Sequence, residues 1–294
     1  MKSSYSSLSV VERLREIRID SGFGLVEAFG VAKGDVVSLV GAGGKTTVLY
    51  ALSMELRRRG LSVVTTCTTH MQLPTSGTAA PLVVVEEESN WLTTVKARIA
   101  HYGSVIVIEN RTRPDKLRGL DPVMIDPLRS LADCVVIEAD GARGRSFKAP
   151  ADHEPVIADE TTLSVVIVGL DALGAPLHER FVHRVEIVKR LAKAPPASEV
   201  TNDVVVAAVI DGYFPKLPRH GRRLVLLNKA SDDRLKAAEK LGEALLRHGA
   251  PEVVFGEAIK PHECFYRMTA GPGGPHPPRA RSAGSEPSEE RGEH

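Results

Sequence analysis

An apolar run that breaks into glycines and then into Lys-Thr-Thr constrains this chain more than any other stretch: Val36-Val37-Ser38-Leu39-Val40-Gly41-Ala42-Gly43-Gly44-Lys45-Thr46-Thr47. A short apolar run bounded by glycine reads as a buried strand. The glycines carry no Cβ, so their amides can close around an anion. A helix that begins there points its unpaired N–H groups and its positive dipole end at the same anion. The pattern predicts strand, phosphate loop and helix, with Gly41, Ala42, Gly43, Gly44, Lys45, Thr46 and Thr47 around a polyphosphate. Lys45 then bridges the outer phosphates and the Thr46 hydroxyl holds Mg²⁺.

The loop departs from the common Gly-x-x-x-x-Gly-Lys-Ser/Thr spacing, since Leu39 stands where the first glycine is expected. The shortened Gly-x-Gly-Gly-Lys-Thr-Thr form resembles the compact phosphate loop of the muramyl-peptide ligases. A dinucleotide fingerprint is the competing reading. It fits less well, because Thr46 occupies the place of its third glycine and Lys45 is left without a purpose.

With 294 residues and 43% hydrophobic content, the chain can bury one substantial core. Residues 1–270 are expected to form a P-loop NTPase-like domain. From Gly271 the sequence turns to Gly, Pro, Ser, Arg and Glu without a large apolar residue, and 271–294 are expected to be a disordered tail. A formal net charge of +1 gives no global pull toward nucleic acid or an anionic membrane. No run approaches the roughly 18 apolar residues of a membrane span, and the amino terminus has no apolar signal core. These features predict a cytoplasmic protein. Cys67, Cys134 and Cys264 are scattered and odd in number, which suits reduced thiols.

Helical spacing of Val10, Leu14 and Ile17 predicts a helix from Leu8 to Ile19, followed by an amphipathic turn at Leu25 to Phe29. After the phosphate loop come a helix from Thr46 to Arg59 and a β-branched strand from Leu61 to His70. The alternation continues with strand Leu82 to Val85, helix Trp91 to Ala100 and strand Val105 to Glu109. A loop carrying Arg111, Arg113 and Lys116 leads to a helix near Met124 to Leu131. Strands at Cys134 to Glu138, Leu163 to Val168, Leu224 to Leu227 and Glu252 to Phe255, with a helix from Asp232 to Arg247, complete the pattern. Short apolar runs alternating with helices predict a three-layer α/β/α fold around a mostly parallel sheet.

Glu138 and Asp140 end an apolar strand two residues apart and so project to one side. Beside a phosphate loop, such a pair suits Mg²⁺ positioning by Glu138 with Thr46, and orientation of the attacking group by Asp140. If the strand through Thr68, Thr69 and His70 runs parallel to the first, its end faces the same ligands, and His70 is a second candidate for orienting that group. Arg143, Arg145 and Lys148 could clamp a triphosphate or an anionic second substrate. Asp152-His153-Glu154 reads as a hydrogen-bonded loop better than as a metal site, since three adjacent residues rarely converge on one ion. Asp171 brings another acid to the ligand edge. Asn228-Lys229-Ala230-Ser231 approximates the Asn-Lys-x-Asp loop that selects guanine in GTPases, with Ser231 in place of the Asp.

Taken together, Gly41-Ala42-Gly43-Gly44-Lys45-Thr46-Thr47, the threonine run to His70, Glu138-Ala139-Asp140-Gly141, Lys148-Ala149-Pro150, His153-Glu154-Pro155, Asp171, His183-Arg184 and Asn228-Lys229 resemble the selenium-dependent molybdenum hydroxylase accessory protein family, the YqeC type. The resemblance runs over about residues 20 to 265, with Cys67 interrupting the threonines and Ser231 standing for the usual Asp. It implies a nucleotide-binding accessory protein that helps to mature such a hydroxylase or its cofactor, alone or with other maturation proteins. The residues themselves predict an Mg²⁺-dependent triphosphatase using ATP or GTP, with Lys45, Asp140 and His70 catalytic. A nucleotide-gated carrier and an ATP-dependent ligase or kinase are the alternatives.

Overall fold

Strand side chains alternate between two apolar layers, and that alternation organises the chain. The computed structural model describes residues 17–72, 80–113, 116–195, 198–260 and 264–270. In chain order these open with β1 (Ile17–Phe23), α1 (Leu25–Phe29), β2 (Val36–Gly41), α2 (Lys45–Arg58), β3 (Val63–Cys67), β4 (His70–Gln72) and β5 (Leu82–Val84). There follow α3 (Trp91–Tyr102), β6 (Ser104–Ile108), β7 (Asn110–Arg113), β8 (Lys116–Arg118), α4 (Ile125–Arg129), β9 (Cys134–Glu138), β10 (Phe147–Lys148) and β11 (Leu163–Gly169). The last elements are β12 (Val182–His183), α5 (Val185–Ala192), α6 (Asn202–Ala207), β13 (Arg222–Asn228), α7 (Leu235–Arg247), β14 (Glu252–Gly256) and β15 (Phe265–Ala270).

The main sheet has ten strands in the order β1-β15-β14-β13-β11-β2-β9-β3-β6-β5. From β14 to β5 all neighbours are parallel, whereas β15 and β1 close one edge antiparallel. The chain leaves β2 toward β3 on one side and later crosses from β9 to β11 on the other, so the winding reverses at β2. The carboxyl end of a strand at such a reversal is where open α/β sheets leave a crevice for ligands.

β2 sends Val36 and Val40 into one layer and Val37 and Leu39 into the other. β13 divides Val225 and Leu227 from Leu224 and Leu226 in the same way. Phe29 of α1 and Leu49, Leu52 and Leu56 of α2 cover one face. Val95, Leu128, Val188, Val205 and Leu241, from α3 to α7, cover the other. Each such fully buried side chain contributes about 1.5–3 kcal/mol. The fold is therefore three-layer α/β/α with a mostly parallel sheet, as the sequence predicts. No helix among the described residues is long and apolar enough to cross a membrane.

Three expectations are corrected. Residues 17–19 are strand rather than the end of a helix, because Ile17–Phe23 pairs along the edge that β15 would otherwise expose. The rest of that expected helix, like the expected tail, lies outside the described residues. The strand from Leu61 to His70 divides at Cys67, where backbone bonds from Leu120 N–H to the Cys67 carbonyl and from Gly119 N–H to the Thr69 carbonyl draw the chain away. His70 then opens β4, in a separate three-stranded antiparallel sheet. Finally, the loop of Arg111, Arg113 and Lys116 belongs to the β7–β8 hairpin of that small sheet.

Candidate functional site

Gly41, Gly43 and Gly44 all have positive φ, at 96°, 101° and 113°. At Gly41 a Cβ would lie 2.2 Å from the Ile167 carbonyl oxygen, and at Gly43 it would lie 2.2 Å from the Gly169 amide nitrogen. Neither backbone atom can yield, so the glycines are required by both torsion and space. Three loop amides are used internally: Gly41 N–H donates to Asp140, Ala42 N–H to the Ile167 carbonyl and Gly43 N–H to the Arg145 carbonyl. The donors open to an anion are therefore those of the first turn of α2, from Gly44 to Thr47, where no side chain caps the helix.

Lys45, 4% exposed, curls back over this loop. Its Nζ donates to the Gly41 carbonyl at 2.7 Å and lies 3.2 Å from Asp140 Oδ1 and 3.8 Å from Glu138 Oε1. Thr46 Oγ1 donates to Glu138 Oε2 at 2.8 Å. The structure thus brings the loop lysine, the following threonine and both strand-end acids together, with Glu138 and Asp140 on one side as their spacing requires.

Asp140 is fully buried. Its Oδ2 accepts from Gly41 N–H at 3.1 Å, from Lys148 Nζ at 3.0 Å and from the Tyr213 hydroxyl at 2.8 Å. Lys148 Nζ also donates to the Gly141 carbonyl and to Glu154 Oε2, each at 2.6 Å. Arg184 closes the network with two hydrogen bonds to Glu154, one of them at 2.9 Å. Burial alone would raise the Asp140 carboxyl, but the Lys45 and Lys148 ammoniums outweigh it and hold Asp140 below the usual carboxylate range. Glu154 is held down against burial by Lys148 and Arg184. Glu138 goes the other way: burial wins and its carboxyl is raised despite Lys45 and Thr46.

A buried carboxylate short of positive charge, 2.8 Å from a threonine hydroxyl at a helix start, is a fitting pair of hard oxygen donors for Mg²⁺. Among the described residues no three His, Cys, Asp or Glu side chains converge as a cage.

Other sequence candidates are placed differently. His70 is exposed, in register with Arg118 on the small sheet, and has no hydrogen bond or ion pair to the loop cluster among the described residues. The Thr68 hydroxyl is directed to the Val156 carbonyl, not toward the loop. Asn228 is a staple: its Nδ2 donates to the Gly43 carbonyl at 2.8 Å, while its Oδ1 accepts from Ala258 N–H at 3.1 Å. Lys229 joins Ser146 Oγ and Asp171 Oδ2, each at 2.8 Å. Lys148, read from sequence as an anion clamp, is spent inside the protein. Tyr213 was not indicated at all: it lies in a π-helical turn, Ala208–Tyr213, a register shift that apolar periodicity does not announce.

A model of the YqeC protein family matches residues 37–186, a span that holds the phosphate loop, both strand-end acids, Lys148, Glu154 and Arg184. An uncharacterized protein YqeC of Escherichia coli (strain K12) is 31% identical over 237 residues, which cover 79% of this chain and 90% of that relative.

Proposed function

This chain belongs to the YqeC protein family, and on that premise we propose that it binds the polyphosphate of ATP or GTP with Mg²⁺ at residues 41–47 and hydrolyses it. The observation that carries the reading is the convergence of Lys45, Thr46, Glu138 and Asp140 on a glycine loop at the start of α2. The amides from Gly44 to Thr47 bind phosphate oxygens, and Lys45 neutralises charge that develops on the transferring group. Thr46 and Glu138 would hold Mg²⁺, which when bound draws charge from the phosphate oxygens. Water forms the new bond to the terminal phosphorus as the bridging P–O bond breaks, leaving the nucleoside diphosphate and inorganic phosphate and giving its proton to solvent. Asp140, whose Oδ2 is occupied by Gly41, Lys148 and Tyr213 while its Oδ1 has no hydrogen bond and lies 3.2 Å from Lys45 Nζ, positions the lysine in this reading. The family resemblance supports a place for this turnover in the maturation of a selenium-dependent molybdenum hydroxylase.

The commitment of Asp140 Oδ2 to three donors and of its Oδ1 to the Lys45 charge favours a second reading, in which intrinsic hydrolysis is slow and the nucleotide acts as a switch or gates a carrier. Single-turnover assays separate the two. For the triphosphatase, phosphate release from ATP or GTP by the full chain depends on Mg²⁺. Thr46→Val then lowers turnover at limiting Mg²⁺ by about 10–100-fold, the worth of a hydrogen-bonding contact to a charged group, and excess Mg²⁺ restores part of it. Absence of Mg²⁺-dependent turnover with either nucleotide, alone or with a client hydroxylase, contradicts the enzymatic reading.

A further inference from the structure

On the β11 side of the phosphate loop, three polar side chains from separate parts of the chain meet in a closed triangle. Lys229 Nζ donates to Ser146 Oγ and to Asp171 Oδ2, each at 2.8 Å, and Ser146 Oγ donates to Asp171 Oδ2 at 2.9 Å. The other carboxylate oxygen, Asp171 Oδ1, has no hydrogen bond among the described residues. The Lys229 and Asp171 side chains are 39% and 35% exposed, so the triangle faces solvent and not the core. Lys229 is held there at φ 61°, a left-handed conformation that costs a non-glycine residue on the order of 1–3 kcal/mol.

The triangle is packed against the loop itself. Asn228, next to Lys229, donates to the Gly43 carbonyl, and Gly169 N–H donates to the Ser146 carbonyl. A Cβ on Gly169 would lie 3.0 Å from Gly43 Cα, 3.0 Å from Ser146 Cβ and 2.7 Å from Asp171 Oδ1. The φ of Gly169, −83°, is open to any residue, so it is the missing side chain that lets the loop and the free carboxylate oxygen approach within one residue's width.

The two edges of β2 divide the surroundings of the loop. Glu138 and Asp140 follow β9 on one edge, whereas β11 pairs with the other edge and β13 lies beyond it. With the outer phosphate and Mg²⁺ on the β9 side, the nucleoside leaves the loop over the ends of β11 and β13. A carboxylate oxygen with vacant lone pairs accepts from hydroxyl groups there and repels phosphate.

We propose that Asp171 seats the ribose of the bound nucleotide, its Oδ1 accepting from the sugar hydroxyls while Lys229 and Ser146 fix the carboxylate through Oδ2. This deepens the triphosphate reading and rests on it. It makes the protein selective for ribonucleotides over deoxyribonucleotides, a discrimination set by the sugar and not by the base.

Calorimetric titration of the full chain, with Mg²⁺, by a non-hydrolysable ATP or GTP analogue and by its 2′-deoxy and 3′-deoxy forms tests this. The parent is expected to bind a deoxy form at least about tenfold more weakly than the ribo form, the worth of a hydrogen bond to a charged group. In Asp171→Ala the acceptor is gone, and ribo and deoxy forms bind within about threefold of one another. Asp126→Ala, an equal charge loss on exposed α4, keeps the parent's discrimination. Inorganic triphosphate, which has no sugar, binds Asp171→Ala at least as tightly as the parent. Weaker binding of inorganic triphosphate by that variant assigns Asp171 to the structure of the loop and overturns its role as sugar acceptor. Equal affinity of the parent for ribo and deoxy forms, or discrimination that survives in Asp171→Ala, overturns the proposal and leaves the triphosphate reading standing. No binding of any form counts against the triphosphate reading itself and takes this proposal with it.

Discussion

Replacing Lys148 with methionine is expected to lower the free energy of unfolding by about 3–5 kcal/mol, the cost of breaking a buried ion pair from one side. The lysine is 2% exposed and is the bridge between Asp140 and Glu154. Methionine keeps the apolar stem but leaves the Gly141 carbonyl without this donor and two carboxylates without the cation between them. Urea denaturation of the two proteins measures the difference, and a loss below about 1 kcal/mol would show that the network is not a structural centre. The acid limb of the stability curve gives the sign independently. Asp140 and Glu154 both titrate below their unfolded values, so their stabilisation is complete above the ordinary carboxylate range and is lost as pH falls through the folded values. In Lys148→Met that loss begins at higher pH, because the cation that held both acids down is gone.

The second large effect falls on function. Lys45→Met is expected to reduce triphosphate turnover by about 10²–10³-fold, as removal of one donor to developing charge does elsewhere. Its structural cost is smaller than that of Lys148→Met. Asp140 keeps Lys148, Gly41 and Tyr213, while Glu138, already raised by burial, is raised further without the Lys45 charge. Turnover assays paired with denaturation on the same preparations separate the two contributions. Turnover within about threefold of the parent would remove Lys45 from the chemistry.

The elements that carry the site were legible because local sequence and tertiary demand agree there. The run from Val36 to Gly41 is apolar on both faces since both faces of β2 are covered, and its glycines stand where backbone approaches within 2.2 Å of a would-be Cβ. The spacing of Glu138 and Asp140 placed both on the Lys45 side through strand alternation alone. What escaped is non-local. Residues 17–19 are strand because β15 offers an edge about 250 residues away in sequence, a pairing that periodicity cannot see. Tyr213 reaches Asp140 through a π turn, and Lys148 turns inward because Asp140 and Glu154 wait on its inner side. Asn228 reads as a base-selecting motif, yet its amide spans Gly43 and Ala258, which only the packed loops reveal.

Calorimetric titration of the full chain with a non-hydrolysable ATP or GTP analogue, with and without Mg²⁺, tests the phosphate site most directly. The account predicts one saturable site that is tighter with Mg²⁺, abolished by Lys45→Met, and that at a hundred times the dissociation constant stabilises the fold by about 2.7 kcal/mol. No saturable binding of either analogue, or binding that neither Mg²⁺ nor Lys45→Met alters, would contradict it.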